Sequence, residues 1–147
     1  MRSSHILGAV LGLPLLWLAP AAQADIAVIV HAANPVQQLT SRQVAELYLG
    51  RSRTFTSGQY AQVVDQGIDD PVRSRFFKDI SGMSIGQVTA FWSRLKFTGQ
   101  VQPPQNLDGD SAVLEFVRRN PGAIGYVNST AVAVADARVK AVLVLHE

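Results

Sequence analysis

The chain has 147 residues, a net charge of +2 and no cysteine, which is long enough for one domain with a real core. Without thiols there are no disulfide staples, thiol nucleophiles or cysteine metal sites, so the hydrophobic core must hold the fold alone. The small net charge and the lack of a long basic run argue against nucleic acid as a partner.

The first segment reads as an address. Arg2 starts a short positive region, residues 6–18 are apolar, Pro20 breaks the run, and Ala22-Gln23-Ala24 has the small-x-small form of a cleavage site. The expectation is a cleaved leader, 1–24, and one periplasmic domain, 25–147, without a linker. An uncleaved anchor is the alternative, but the apolar run is short for a span of about 20 residues. No stable membrane span is expected after cleavage.

Residues 25–31, DIAVIVH, form an apolar, β-branched run suited to a strand buried on both faces. Thr40-Ser41-Arg42-Gln43 is a capping box, and Val44, Leu47 and Tyr48 give the following helix an apolar stripe that ends at Gly50. After a polar turn, residues 60–64 read as the second strand.

The next stretch, 63–77, organises the chain. Val63 and Val64 end a strand, Asp70 can cap a helix, and Pro71 suits its first position. Phe76 and Phe77 supply the apolar face. A helix opening at the carboxyl end of a strand presents backbone N–H donors and partial positive charge, the geometry of many anion sites. Opposing that reading, Asp65, Asp69 and Asp70 put like charge where an anion would sit. Asp70 as a plain helix cap, with Asp69 solvated, is the structural alternative.

Ser81-Gly82 interrupts, and Ser84 with Gln87 opens another helix in which Val88, Phe91, Trp92 and Leu95 recur at core spacing. Residues 97–110 form the longest irregular piece, and Asp108 or Asp110 can cap the helix that follows. Val113, Leu114, Phe116 and Val117 are its buried stripe, and Asn120-Pro121-Gly122 stops it. Residues 123–127 and 139–145 read as strands. Strands alternating with helices indicate an α/β fold, with a mixed or mostly parallel sheet of about four to five strands flanked by helices.

Three pieces taken together carry a resemblance: Asn34-Pro35-Val36 with Leu39-Thr40, Leu47-Tyr48-Leu49-Gly50, and Asn120-Pro121-Gly122-Ala123-Ile124-Gly125-Tyr126. In order and spacing the chain resembles phosphate ABC transporter substrate-binding proteins of the periplasmic type II binding fold, as a small single-lobe member. The resemblance implies a periplasmic solute-binding protein that takes a small anion, phosphate first among them, weakly at a helix N-terminus. It points to Gln66, Asp69, Asp70, Val72 and Arg73 as ligand-binding residues, with Arg73 as the cationic clamp. In the larger relatives an arginine ends the strand and Ser and Thr open the helix. Asp65 corresponds to the arginine, and the Ser and Thr positions fall near Asp69 to Val72. If the turn is a ligand site, replacing Arg73 with Ala is expected to leave the fold intact and abolish anion binding.

Two other classes compete. A lobe that has lost its ligand would be an interaction module, docking a transporter or sensor subunit or a second copy of itself as a homodimer, and exposed apolar groups around Phe55, Tyr60 or Pro103 would support it. A hydrolase is disfavoured: His31 and His146 abut strand runs, and neither G-x-S-x-G nor H-E-x-x-H occurs. No catalytic residue, cofactor or metal is expected.

Overall fold

The computed structural model describes residues 14–18, 24–99, 101–132 and 137–147. Residues 1–13 and 19–23 of the expected leader lie outside these. Among the described residues no helix is long and apolar enough to cross a membrane.

Five strands form one sheet in the order β3-β2-β4-β1-β5. The elements run β1 (Ile26–His31), α1 (Ser41–Tyr48), β2 (Gln62–Gln66), α2 (Pro71–Ser81), α3 (Ile85–Phe97), β3 (Gln105–Leu107), α4 (Asp110–Arg119), β4 (Ala123–Asn128), α5 (Ser129–Val132) and β5 (Val139–Leu145). Strand β2 pairs in parallel with β3 and β4, whereas β1 pairs antiparallel with β4 and β5. Only β1 therefore opposes the other four, and the sheet is mixed but mostly parallel in direction.

The apolar run of β1 needs two partners because it is covered on both faces. Ile26, Val28 and Val30 join Ile124, Tyr126 and Val142 under α1, α2 and α3. Ala27 and Ile29 face the other way, with Val64, Val127 and Val139, under α4. Burial on both sides removes the polar-apolar alternation that a half-exposed strand would carry.

The local signals before α1, α2 and α3 are realised. Thr40 and Ser84 close reciprocal capping boxes, and Asp70 accepts from the Val72 amide with Pro71 at the first helical position. Gly82 ends α2 at φ 71°.

Four local expectations change. The second strand is shifted two residues, because Asp65 and Gln66 are held in the ladder by β3, while Tyr60 is 63% exposed and makes only a bridge to Thr54. Gln105-Asn106-Leu107, expected as loop, becomes β3 by adding to the edge of β2. Helix α4 starts after Gly109, with no side-chain cap, because Asp110 lies inside the helix and its carboxylate bonds elsewhere. In α3 the buried aromatic is Trp92, and Phe91 packs only partly against the core.

Gly125 marks the tightest contact between sheet and helix. A Cβ there would lie 2.5 Å from Val113 Cγ1 on α4 and 3.2 Å from Val64 Cγ2 on β2. We expect Gly125→Ala to destabilise the protein by about 1–3 kcal/mol through overpacking, with Val113→Ala as a second change recovering part of the loss. An unchanged urea midpoint in the single variant would refute this packing.

Candidate functional site

Strands β2 and β4 pair only at Gln62–Ala123 and Val63–Ile124. Beyond that point side chains replace the ladder. The buried Tyr48 hydroxyl, at the end of α1, donates to the Val64 carbonyl at 2.7 Å, and Gln66 Nε2 donates to the Tyr126 carbonyl at 2.9 Å. The chain leaves β2 for α2 and α3 on one face, and returns through α4 on the other. The gap between β2 and β4 is thus the switch point at the carboxyl edge, where open α/β sheets place ligands.

Asp65 is the centre of this gap. It is 2% exposed, and its Oδ2 accepts from Arg73 Nε at 2.8 Å. Its Oδ1 accepts from the Gln66 amide at 2.8 Å and from the Tyr126 hydroxyl in a short hydrogen bond. Burial, and after it the Asp65 charge, raises the Tyr126 phenol above its ordinary value, so the hydroxyl stays protonated and donates. The same two causes raise Tyr48.

Around this pair the ring of Phe76 stacks on Tyr126, with centroids 3.6 Å apart and planes 8° from parallel. The Arg73 guanidinium lies 5.4 Å from the Phe77 ring centroid, within cation–π range. Four aromatic rings, Tyr48, Phe76, Phe77 and Tyr126, therefore wall a dry site that contains one carboxylate and one guanidinium.

A second polar cluster adjoins it. Gln66 Nε2 also donates to Asp110 Oδ1 at 3.0 Å, and Asn128 Nδ2 donates to Asp110 Oδ2 at 3.0 Å. Asn106 Nδ2 donates to the Gln66 carbonyl at 2.8 Å, tying β3 to the gap. Gln66 Oε1 is buried without a hydrogen-bond partner among the described residues.

The five residues singled out from the sequence lie close together but differ in environment. Gln66 is buried and donates inward, Asp69 is exposed, and Asp70 caps α2. The Val72 amide is taken by Asp70 Oδ1 at 3.0 Å, the Arg73 amide by the Asp70 carbonyl at 3.0 Å, and Pro71 has no N–H. The first turn of α2 is therefore satisfied internally as far as Arg73. Arg73 itself is 9% exposed and paired. Outside the turn, a surface cavity is lined by Asp69, Asp70 and Asp108 with Gly67, Asn106 and Gly109, and by no cation.

Sequence reasoning did not select Tyr126, Asn106, Asp110 or Asn128 as part of this site. Asn106 lies on β3, Asp110 on α4, and Tyr126 and Asn128 on β4, and nothing local marks a residue that is recruited across the sheet. His31 and His146 lie apart from the gap. His31 Nδ1 accepts from the Ala33 amide, and the exposed His146 meets Asp25 at 3.0 Å. Among the described residues no group of three or more acids or histidines is placed to hold a metal ion.

A three-layer fold with one reversed strand and a polar gap at its carboxyl edge is shared with solved proteins described as phosphate-binding proteins or phosphate transport receptors. It matches a structure described as a phosphate ABC transporter substrate-binding protein with bound phosphate from Clostridium perfringens, at TM-score 0.63 and 23% identity over 83% of this chain and 46% of that one. An ABC-type phosphate transport receptor from Vibrio cholerae matches at 0.62 and 22% over 83% and 47%, and PstS from Borrelia burgdorferi at 0.59 and 11% over 86% and 49%. These likenesses show the fold, and the chain spans slightly less than half the length of each. No protein-family model and no curated protein matches the sequence.

Proposed function

We propose that this chain is a periplasmic solute-binding protein built on one phosphate-binding-type lobe, holding a small anion weakly at the start of α2. The observation that carries the reading is the Asp65–Arg73 pair at the switch point. It supplies a cation where such folds take ligands, yet the cation is already half-committed. The solved likenesses are named as binding proteins or receptors, which supports a binding rather than an enzymatic role.

The carboxylates at the mouth favour a second reading, a module that has lost its ligand and docks a transporter or sensor subunit or a second copy of itself. Phe55, expected as part of such a surface, is 3% exposed and belongs to the core. Tyr60 is exposed, and with Arg53, Trp92, Val101 and Pro103 it lines a groove beside β2.

Calorimetric titration of the purified protein with phosphate, at low salt and with sulfate as control, separates the two. Saturable heat in the millimolar range is the expected result. A flat titration would remove the anion and leave the docking module.

A further inference from the structure

We propose that the Asp65 carboxylate is an internal stand-in for the anion, and that it sets how weakly this turn binds phosphate. The inference rests on reading the turn as an anion site. What it adds is a residue that governs affinity by competing with the ligand.

A guanidinium Nε, a phenolic hydroxyl and a backbone amide converge on the two oxygens of Asp65. A cation with neutral donors in buried, aromatic surroundings is a set suited to a compact oxyanion, because carboxylate and phosphate oxygens accept the same charge-assisted bonds. Asp65 is attached to β2, so it occupies the position without the translational cost that a free anion must overcome. Its aromatic surroundings lower the local dielectric, which strengthens both its pairing with Arg73 and its repulsion of a second anion.

One edge of the cation is still available. Arg73 uses Nε on Asp65, its side chain retains 11% exposure, and among the described residues neither Nη makes a hydrogen bond. An incoming phosphate therefore meets a guanidinium that can offer two donors but is already neutralised by a buried neighbour. Binding at this edge without release of Asp65 is weak for that reason.

Removing the carboxylate should reverse the effect. In Asp65→Ser the side chain is shorter and neutral, leaving the Arg73 guanidinium uncompensated and its donors open to an oxyanion. Asp65→Asn keeps the shape and removes only the charge. Thermal unfolding of each variant and of the wild type is compared in millimolar phosphate and in chloride at matched ionic strength. The variants are expected to bind phosphate at least about tenfold more tightly, read as a larger phosphate-specific rise in Tm. If a variant is unfolded in chloride, recovery of the folded signal with phosphate is the supporting result and no recovery is the opposing one.

Phosphate shifts no larger in the variants than in the wild type would overturn the role of Asp65, while a saturable wild-type response would leave weak binding standing. A wild type that ignores phosphate beside a variant that responds would remove weak binding and retain Asp65 as the stand-in. If neither responds, both readings fall.

Discussion

Replacing Arg73 with Ala is expected to cost about 3–5 kcal/mol of folding stability, because it leaves a buried carboxylate without its cation. This outcome differs from the sequence-based expectation of an intact fold with lost binding, because Arg73 is paired with Asp65 inside the fold. Asp65 is 2% exposed and cannot recover its hydration without opening the gap between β2 and β4. The Tyr126 hydroxyl and the Gln66 amide would still donate to it, but neither carries charge. The double variant Asp65→Leu with Arg73→Met, which removes both charges and keeps apolar volume, should regain most of the loss. Urea unfolding of the wild type, the single and the double variant forms the test. If Arg73→Ala alone costs less than about 1 kcal/mol, the pair is not an energetic unit. It also follows that Arg73→Ala is a poor probe of anion binding, since lost affinity and lost fold would coincide.

Phe76→Ala is expected to destabilise by a similar amount, about 3–5 kcal/mol, for a different reason. Phe76 is fully buried, stacks on Tyr126 and meets Tyr48 edge-on at 4.8 Å between centroids. Truncation leaves a cavity bounded by two tyrosines whose hydroxyls hold Asp65 and the Val64 carbonyl. The cavity therefore loosens the polar site as well as the core. A conservative Phe76→Leu change should recover part of the stability, because it refills some of the volume. A loss below about 1 kcal/mol in Phe76→Ala, measured by urea midpoint at unchanged slope, would show that the ring does not pack as described.

Much of the fold was legible because its signals are local. The capping boxes at Thr40 and Ser84, the Asp70-Pro71 start of α2 and the Gly82 stop act within four residues of chain, so sequence spacing reveals them. The β-branched run of β1 announced two-sided burial for the same reason. What spacing could not show was Gln105-Asn106-Leu107 as a strand, since these residues have little strand preference and are ordered by pairing with β2. The placement of Asp110 inside α4 likewise depends on Gln66 and Asn128, far away in sequence.

The candidate site divides in the same way. The sequence alone determined that a strand ends and a helix begins at residues 65–71, that carboxylates crowd that turn, and that Arg73 follows within the first turn, because chain connectivity puts these groups together whatever else the fold does. Whether the cation and the carboxylates would be free or mutually satisfied was decided only by tertiary structure. The divergence of β2 from β4 draws Tyr126 over Asp65, the aromatic packing of α2 excludes water, and in that dry setting an unpaired charge is so costly that Arg73 and Asp65 must meet.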